Sequence, residues 1–317
     1  MSLPLVQISE QDFTSFLRIP IATNLTKLEA DFAIVGVPFG VPYDMRGVAS
    51  GASEAPVAIR ECSARYGRFL NHHDFDLGGE FLNGSTVRVV DCGDVPADPR
   101  DLTGNTARAT AAIRSIIDHG SVPIVLGGDD SIPALALKAF EGFDSIHVLQ
   151  IDAHLDFRDE VDGIRDGYSS PMRRASEMPW VEKIVHVGLR GVGSARPADV
   201  ADSKKDGNTL ITAREVREKG VEQVLQEFPE AANIFIAIDC DGLDPSVMPG
   251  TSCPMPGGLL FYEVADIVQG LARRGKVIGM DVAEYFPSLD IQKVTALAIV
   301  RLIVILIGTM VRAHGLT

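Results

Sequence analysis

The sequence lacks most of the features that mark secreted, disulfide-stabilised and membrane-spanning proteins. Its 317 residues include four cysteines, and no two of them form a Cys-x-x-Cys pair, so neither a disulfide framework nor a zinc ribbon is indicated. The first 13 residues contain no basic residue, which argues against a signal peptide. The longest apolar run, residues 302–311, has about half of the roughly 20 residues that a membrane span needs, and it predicts a buried helix or strand. We therefore expect a cytoplasmic protein that does not bind membranes.

Basic residues are scarce relative to acidic ones. Lys and Arg number 29 against 43 Asp and Glu, which gives a net charge of −14. Such a chain repels phosphate groups and attracts small cations, so we expect no nucleic-acid partner. The simplest explanation of the excess charge is that it keeps the protein soluble. Disorder is excluded because 46% of the residues are hydrophobic, which is sufficient for a core.

Short apolar runs alternate with helical patterns along the whole chain. Predicted strands are residues 32–37, 86–90, 123–126, 146–151, 183–187, 209–211, 234–238 and 277–282. Predicted helices are residues 105–118, 132–140, 213–228, 261–273 and 291–307. This alternation predicts an α/β fold, a three-layer α/β/α sandwich around a predominantly parallel sheet. The sequence contains no low-complexity linker and no repeat, so we expect one domain over residues 1–317.

Acidic residues follow four of the predicted strands. Because ligands bind beyond the carboxyl ends of parallel strands, we expect these residues to meet at one edge of the sheet. The four segments are GGDDS with Asp129 and Asp130, DAHLD with Asp152, His154 and Asp156, DCDGLD with Asp239 and Asp241, and DVAE with Glu284. So many neighbouring carboxylates require raised pKa values or a bound cation.

The spacing within two of these segments favours a metal centre. Asp152, His154 and Asp156 are two residues apart, so in an extended segment their side chains would point the same way. Asp239 and Asp241 repeat the spacing, and such carboxylates can hold two metal ions about 3.5–4 Å apart. Oxygen ligands with one imidazole suit Mn²⁺ or Mg²⁺ better than Zn²⁺. Each motif alone has a simpler explanation, since Asp is common in turns and a single His is often structural. A calcium loop is disfavoured because no Glu stands at its twelfth position.

These motifs together resemble the ureohydrolase family, which contains arginase, agmatinase, guanidinobutyrase, guanidinopropionase and formimidoylglutamase. The resemblance is closest to agmatinase-type members and covers most of the chain. The matching stretches are IVGVPF, DCGDV, GGDDS against GGDHS, DAHLD, DCDGLDP, PGTSCPMPGGL against PGTGTPxxGGL, and DVAEYFP. It implies a single α/β/α domain with an eight-stranded parallel sheet, and, by analogy only, a homotrimer or homohexamer.

The resemblance also implies a binuclear Mn²⁺ centre and a role for each matching residue. Asp152 and Asp239 match carboxylates that bridge the two ions, and Asp156, with Asp130 beside it, belongs to the first metal position. His154 and Asp241 match ligands of the second position. Glu284 matches the glutamate that grips the guanidinium of a small cationic guanidino substrate. A metal-bound hydroxide would attack the guanidinium carbon and release urea and an amine, with Asp156 and Glu284 as catalytic residues.

Two positions depart from the family pattern. Asp130 stands where the pattern has a histidine, so five aspartates face two divalent ions, a charge of −5 against +4. We expect the first metal site to be weak, altered, or suited to a harder cation or a single ion. Tyr168 stands where family members often have a proton-shuttling histidine. A tyrosine with a pKa near 10 is a poor shuttle at neutral pH, so Tyr168 either donates a hydrogen bond or packs over the pocket.

The loop after DAHLD bears on the nature of the substrate. Arg158 stands two residues after DAHLD, and the resemblance places it near where family members that bind a carboxylate-bearing tail contact that tail. We hypothesise that Arg158 receives a substrate carboxylate, which would favour a guanidino acid over agmatine. The alternative is that it belongs to a solvated charged loop. Three functions stay open: an amidinohydrolase of a linear guanidino compound, a member that only binds metal or ligand, and a hydrolase of a formimino or other amidine substrate.

Overall fold

Eight short apolar runs form one parallel sheet in the computed structural model, which describes residues 3–8, 13–43, 51–98 and 100–315. The strands are β1 (Phe32–Gly36), β2 (Val89–Asp94), β3 (Val122–Leu126), β4 (Ile146–Ile151), β5 (Val181–Leu189), β6 (Thr209–Thr212), β7 (Asn233–Asp239) and β8 (Lys276–Ala283). Their order across the sheet is β2-β1-β3-β8-β7-β4-β5-β6. The predicted fold class is therefore confirmed. The signal-peptide prediction concerns a segment of which residues 1, 2 and 9–12 lie outside the described part of the chain.

Helices cover both faces of the sheet and create two apolar cores. They are α1 (Ala55–Ser63), α2 (Leu102–Asp118), α3 (Ile132–Lys138), α4 (Pro171–Ser176), α5 (Pro197–Lys205), α6 (Ala213–Lys219), α7 (Glu222–Leu225), α8 (Phe261–Arg274) and α9 (Val294–His314). Side chains of α1 and α6 to α9 belong to one core, and side chains of α2 to α5 belong to the other. Since both faces are covered, the strands are apolar without alternation.

Strand β2 lies further along the chain than predicted. The sequence predicts residues 86–90, because the short apolar run ends before Asp91. The strand continues through Asp91 and Asp94 because the buried Arg60 pairs with them, at 2.9 Å from Nε to Asp91 Oδ2 and 2.6 Å from Nη1 to Asp94 Oδ1. A buried charge is tolerated when it is paired and hydrogen-bonded.

The predicted helix over residues 213–228 is divided into α6 and α7. Gly220 ends α6 with a positive φ of 81°, a conformation that a glycine adopts without strain. Three helices were not predicted, namely α1, α4 and α5. Each is short and has a proline in its first turn, which is a start signal that the apolar periodicity does not show.

Helix α9 contains the apolar run that the sequence analysis noted. Its 21 residues have a mean hydropathy of 2.5 in the most apolar window, which by length and composition alone is enough to cross a membrane. However, 83% of that window is buried inside the protein, where α9 packs against α1 and α8. The apolar character of α9 is therefore accounted for by its place in the core.

Candidate metal centre and substrate cavity

The four acidic segments follow four adjacent strands at the centre of the sheet. These strands are β3, β8, β7 and β4, which are neighbours in space although they are not consecutive in the chain. Their carboxyl ends open into a cavity of about 810 Å³. Five of the predicted metal ligands and the predicted guanidinium ligand line it: Asp130, His154, Asp156, Asp239, Asp241 and Glu284. Asp152 is fully buried and does not line the cavity surface.

Two groups of candidate metal ligands are present among the described residues. The first group is Asp130, Asp152 and Asp239, and the second is Asp152, His154 and Asp241, with ligand atoms within 4.8 Å of one another in each group. Asp152 belongs to both, as expected for a bridging carboxylate. Asp239 belongs only to the first group. Asp156 lies in neither, although its buried carboxyl is close enough to Asp152 and Asp130 to raise the pKa values of both.

Turns, rather than extended chain, bring the ligands of each motif together. Strand β4 ends before Asp152, and Asp156 has a left-handed φ of 46°. After β7, a 3-10 turn follows Asp239, whose Oδ1 accepts from the backbone N–H of Asp241 at 2.7 Å. The predicted extended i, i+2, i+4 segment is therefore not present, and the short side chains converge through turns that aspartates stabilise.

Backbone N–H groups fix the orientation of the carboxylates. The amide of His154 donates to Asp152 Oδ1 at 2.5 Å, and the amide of Ala153 donates to Asp241 Oδ1 at 3.1 Å. The second oxygen of Asp152, Oδ2, accepts from the side-chain amide of Gln150 at 2.6 Å. Gln150 in turn contacts the buried His186, whose pKa burial lowers to about 3, so that this ring is neutral.

Sequence reasoning missed Gln150 and His186 as parts of the site. The available signal was a polar residue inside the apolar run of β4, because a buried strand places such a residue in the core only when it has a partner. Groups that orient metal ligands in this way commonly tune the affinity of a metal centre.

The electrostatics of the cluster require positive charge. Burial, followed by the neighbouring carboxylates, raises the pKa values of Asp130 and Asp239 well above the ordinary range. Burial and the nearby Asp156 raise the pKa of Asp152 to about 8. Hydrogen bonds to Asp152 and Asp241 raise the pKa of His154 to about 11. Protons or cations are needed to neutralise these groups, and metal ions would compete with the protons.

Asp130 provides a direct test of whether a cation fits. Its Oδ2 atom is buried and has no hydrogen-bond partner in the protein. An unsatisfied buried carboxylate oxygen is costly, and a cation shared with Asp152 and Asp239 would satisfy it. The donor set is five carboxylates and one imidazole, which are ligands that hard divalent cations accept. The residues therefore fit a metal centre.

Glu284 is held at three points beside the metal centre. It has a left-handed φ of 57°, and its amide donates to the carbonyl of Gly128 at 2.9 Å. The amide of Asp130 donates to Glu284 Oε1 at 3.0 Å, and the Ser252 hydroxyl donates to Oε2 at 3.3 Å. Burial, followed by the charge of Asp129, raises the pKa of Glu284 to about 8. Because the ionised form of Glu284 is destabilised in this setting, a bound planar cation would stabilise it through charge-assisted hydrogen bonds.

Tyr168 and Arg158 both line the cavity. The ring of Tyr168 packs on Tyr43 at 4.5 Å between centroids, and burial raises the pKa of its phenol, which is therefore protonated at neutral pH. Arg158 is tied to the protein, since Nη1 donates to the carbonyl of Ser194 at 3.1 Å and Nη2 to the carbonyl of Glu160 at 3.3 Å. Its Nε lies 3.6 Å from Asp199 Oδ2.

Comparison with known proteins identifies the family. A model of the arginase family matches residues 30–308. A guanidinopropionase of Pseudomonas aeruginosa is 30% identical over 289 residues, which cover 89% of this chain and 87% of that protein. The chain belongs to the arginase family. A formimidoylglutamase of Halalkalibacterium halodurans is also 30% identical to this arginase-family chain over 280 residues, covering 84% of the chain and 83% of the relative.

Solved structures agree with this assignment. The proclavaminate amidino hydrolase of Streptomyces clavuligerus superposes on the arginase-family chain with a TM-score of 0.82 and 26% sequence identity, covering 99% of this chain and 100% of that one. The family and the relatives identify a metal-dependent hydrolase of C–N bonds in linear amidines. Two relatives with different names share the same 30% identity, so this level of identity does not separate guanidino from formimino substrates.

Proposed function

We propose that the protein is an amidinohydrolase that cleaves a linear guanidino compound to urea and an amine. The observation that carries this proposal is the position of Glu284 in the same cavity as the metal-ligand cluster, with the Asp130 amide connecting the two. A guanidinium held by Glu284 would lie beside the candidate metal positions. The substrate and the group that attacks it would then be close enough for reaction.

Each residue has a proposed role in this reaction. The metal ligands are Asp130, Asp152, His154, Asp156, Asp239 and Asp241, and two Mn²⁺ ions are the proposed cofactor. When bound, the ions would lower the pKa of a water molecule and place it near the substrate carbon. Asp156, which lines the cavity whereas Asp152 does not, would also act in catalysis by orienting that water.

Glu284 would fix the substrate cation by paired charge-assisted hydrogen bonds. Since the amide of Asp130 and the hydroxyl of Ser252 each occupy one of its oxygens, the remaining lone pairs have a defined direction. Tyr168, protonated at neutral pH, would donate a hydrogen bond to the departing amine from the cavity wall. We further propose a cytoplasmic homo-oligomer, trimeric or hexameric, with no nucleic-acid or membrane partner.

A second part of the proposal concerns the end of the substrate that is remote from the guanidinium. Two of the five N–H groups of Arg158 donate to backbone carbonyls, so others are available to a carboxylate in the cavity. We propose a guanidino acid rather than agmatine.

Arg158→Ala should lower kcat/KM for the best guanidino acid by about tenfold or more, because a charge-assisted hydrogen bond contributes about 1.5–3 kcal/mol. Agmatine, which has no carboxylate, is the matched control and should be affected little. Full retention of kcat/KM for the acid would exclude this role.

Two alternatives have specific support. The replacement of two expected histidines by Asp130 and Tyr168 favours a protein that binds metal or ligand without hydrolysing it. The 30% identity to a formimidoylglutamase favours a formimino or other amidine substrate, which Glu284 could hold equally well.

One experiment separates the three functions. Metal-free protein is reloaded with Mn²⁺, Ni²⁺, Co²⁺, Zn²⁺ or Mg²⁺ and assayed for urea, ammonia and formamide on guanidino and formimino compounds. Urea release that is lost in Glu284→Gln supports the proposed function, and formamide release supports the formimino alternative. No product from any pairing, with metal bound, supports the binding protein.

A further inference from the structure

The two candidate metal positions differ in donor chemistry. The position formed by Asp130, Asp152 and Asp239 offers only oxygen atoms, whereas the position formed by Asp152, His154 and Asp241 includes an imidazole. Asp156, which lines the same cavity and whose charge raises the pKa of Asp130, adds a further oxygen donor beside the first position. The difference follows from Asp130, since the family pattern GGDHS would provide a second imidazole there.

The Asp130 side chain is placed to act as a ligand. It is 4% exposed, and its Oδ2 has no partner in the protein, while its backbone amide is already used by Glu284. The neighbouring Asp129 is not free in the same way, because its Oδ1 accepts from the Ser131 amide at 3.0 Å and the Ser131 hydroxyl at 2.5 Å. Of the two aspartates in GGDDS, Asp130 is the one whose carboxylate lies within a group of candidate metal ligands.

We infer that this protein has a metal centre with two different selectivities, one position that favours hard cations such as Mn²⁺ and Mg²⁺ and one that also accepts Zn²⁺ and Ni²⁺. Oxygen-only positions bind hard cations well, whereas each imidazole adds affinity for borderline metals. Five carboxylates around two divalent ions leave a net charge of −1, which further favours ions bound through charge. The inference rests on the proposed function only in using the same metal centre.

Metal titration tests the inference without any assay of activity. Metal-free protein is titrated with Mn²⁺ alone and with Zn²⁺ alone by calorimetry, and bound ions are counted by mass spectrometry. The quantity of interest is the ratio of the Mn²⁺ to the Zn²⁺ dissociation constant at each position. In the wild type we expect this ratio to be about tenfold smaller at the position formed by Asp130, Asp152 and Asp239 than at the position that contains His154.

Three variants assign the positions. Asp130→His should raise the ratio about tenfold at the position that favours Mn²⁺, so that both positions behave alike. His154→Asp is the reciprocal change and should lower the ratio by a similar factor at the other position, which keeps the test valid if Asp130→His does not fold. Asp130→Asn keeps an oxygen donor, so it should weaken both metals at the first position and leave the ratio unchanged.

Two results would overturn the inference. One is a wild type with equal ratios at both positions, and the other is a ratio that stays within about twofold of the wild type in both Asp130→His and His154→Asp. Because the ions are counted and not the product, failure here is distinct from failure of the proposed hydrolysis. A protein can show two selectivities without releasing urea, and it can release urea with two equal positions.

Discussion

Asp281 has no hydrogen-bond partner for either carboxylate oxygen, although it is fully buried on β8 between Val125 of β3 and Ala237 of β7. Burial raises the pKa of Asp281 well above its ordinary value, so the folded chain holds this proton to a higher pH than the unfolded chain does. Asp281, on β8, precedes Glu284 by three residues. Because the two states bind this proton differently, Asp281 makes the stability of the fold depend on pH.

The sign of this dependence follows from proton linkage. Below a pH of about 4 the carboxyl is protonated in the folded and the unfolded chain, so its contribution to stability is fully present. As pH rises towards the folded pKa, the unfolded chain ionises while the folded chain keeps the proton, and stability falls by up to about 1.4 kcal/mol per pH unit.

Asp281→Asn removes this ionisation while keeping the shape of the side chain. The free energy of unfolding of the variant, relative to wild type, should therefore increase as pH rises from about 4 towards neutrality. Urea unfolding at a series of pH values measures it. Asp266→Asn, at an exposed position on α8, is the control and should follow the wild type. The prediction would be contradicted if the free energies of unfolding of Asp281→Asn and wild type differed by the same amount at every pH.

At the level of elements, the loops after β5 and β7 are joined by Arg190. Its Nη2 donates to the carbonyls of Asp241 at 2.5 Å and Leu243 at 3.2 Å, and to the carbonyl of Met255 at 2.7 Å. Its Nη1 donates to the carbonyl of Gly242 at 3.2 Å. The guanidinium thus holds the turn that carries a candidate metal ligand against the loop that lines the cavity.

Arg190→Lys keeps the charge but removes the planar set of donors. Since groups that orient metal ligands affect metal affinity by about 10–100-fold, we expect weakening of that order at the position that contains Asp241 and His154. Calorimetry with Mn²⁺ measures the loss. The matched control is Arg217→Lys, which loses a bond to the carbonyl of Gly258 but contacts no carbonyl of the turn after β7. Equal affinities in the two variants would show that Arg190 does not position the ligand.

The strand and helix patterns show what local sequence can and cannot predict. Seven of the predicted strands overlap the observed ones closely, because burial on both faces selects apolar residues in each strand separately. Strand β2 was displaced because its polar residues are neutralised by Arg60, which lies outside the strand. The division of residues 213–228 at Gly220 was decided by one glycine with a positive φ.

For the whole molecule, part of the net charge of −14 lies in the candidate metal centre. Its raised carboxylate pKa values mean that the ionised cluster destabilises the metal-free fold as pH rises. A ligand that binds only the folded chain at about 100 times its dissociation constant contributes about 2.7 kcal/mol. We therefore expect Mn²⁺ to stabilise the molecule at neutral pH.

Calorimetric unfolding with and without Mn²⁺ measures this effect. The midpoint temperature of thermal unfolding of the wild type should rise when Mn²⁺ is added. That of Asp239→Asn should rise much less, because a candidate ligand is removed. A single transition in each case is also expected, since we predict one domain over residues 1–317. An equal rise for Asp239→Asn and wild type would place the metal elsewhere.

Local sequence is enough to predict seven of the eight strands, the acidic motifs and the resemblance to the family, because burial pattern and motif identity are local properties of the chain. The strand order, which makes β3, β8, β7 and β4 neighbours at the centre of the sheet, is visible only in the fold, since it is set by packing between distant residues. The tertiary structure also showed that Asp156 and Glu284 turn into the cavity through left-handed backbone, which residue spacing does not encode. The fold also shows that Asp130 Oδ2 has no hydrogen-bond partner in the protein, which depends on every residue that surrounds it and so is not visible in the sequence.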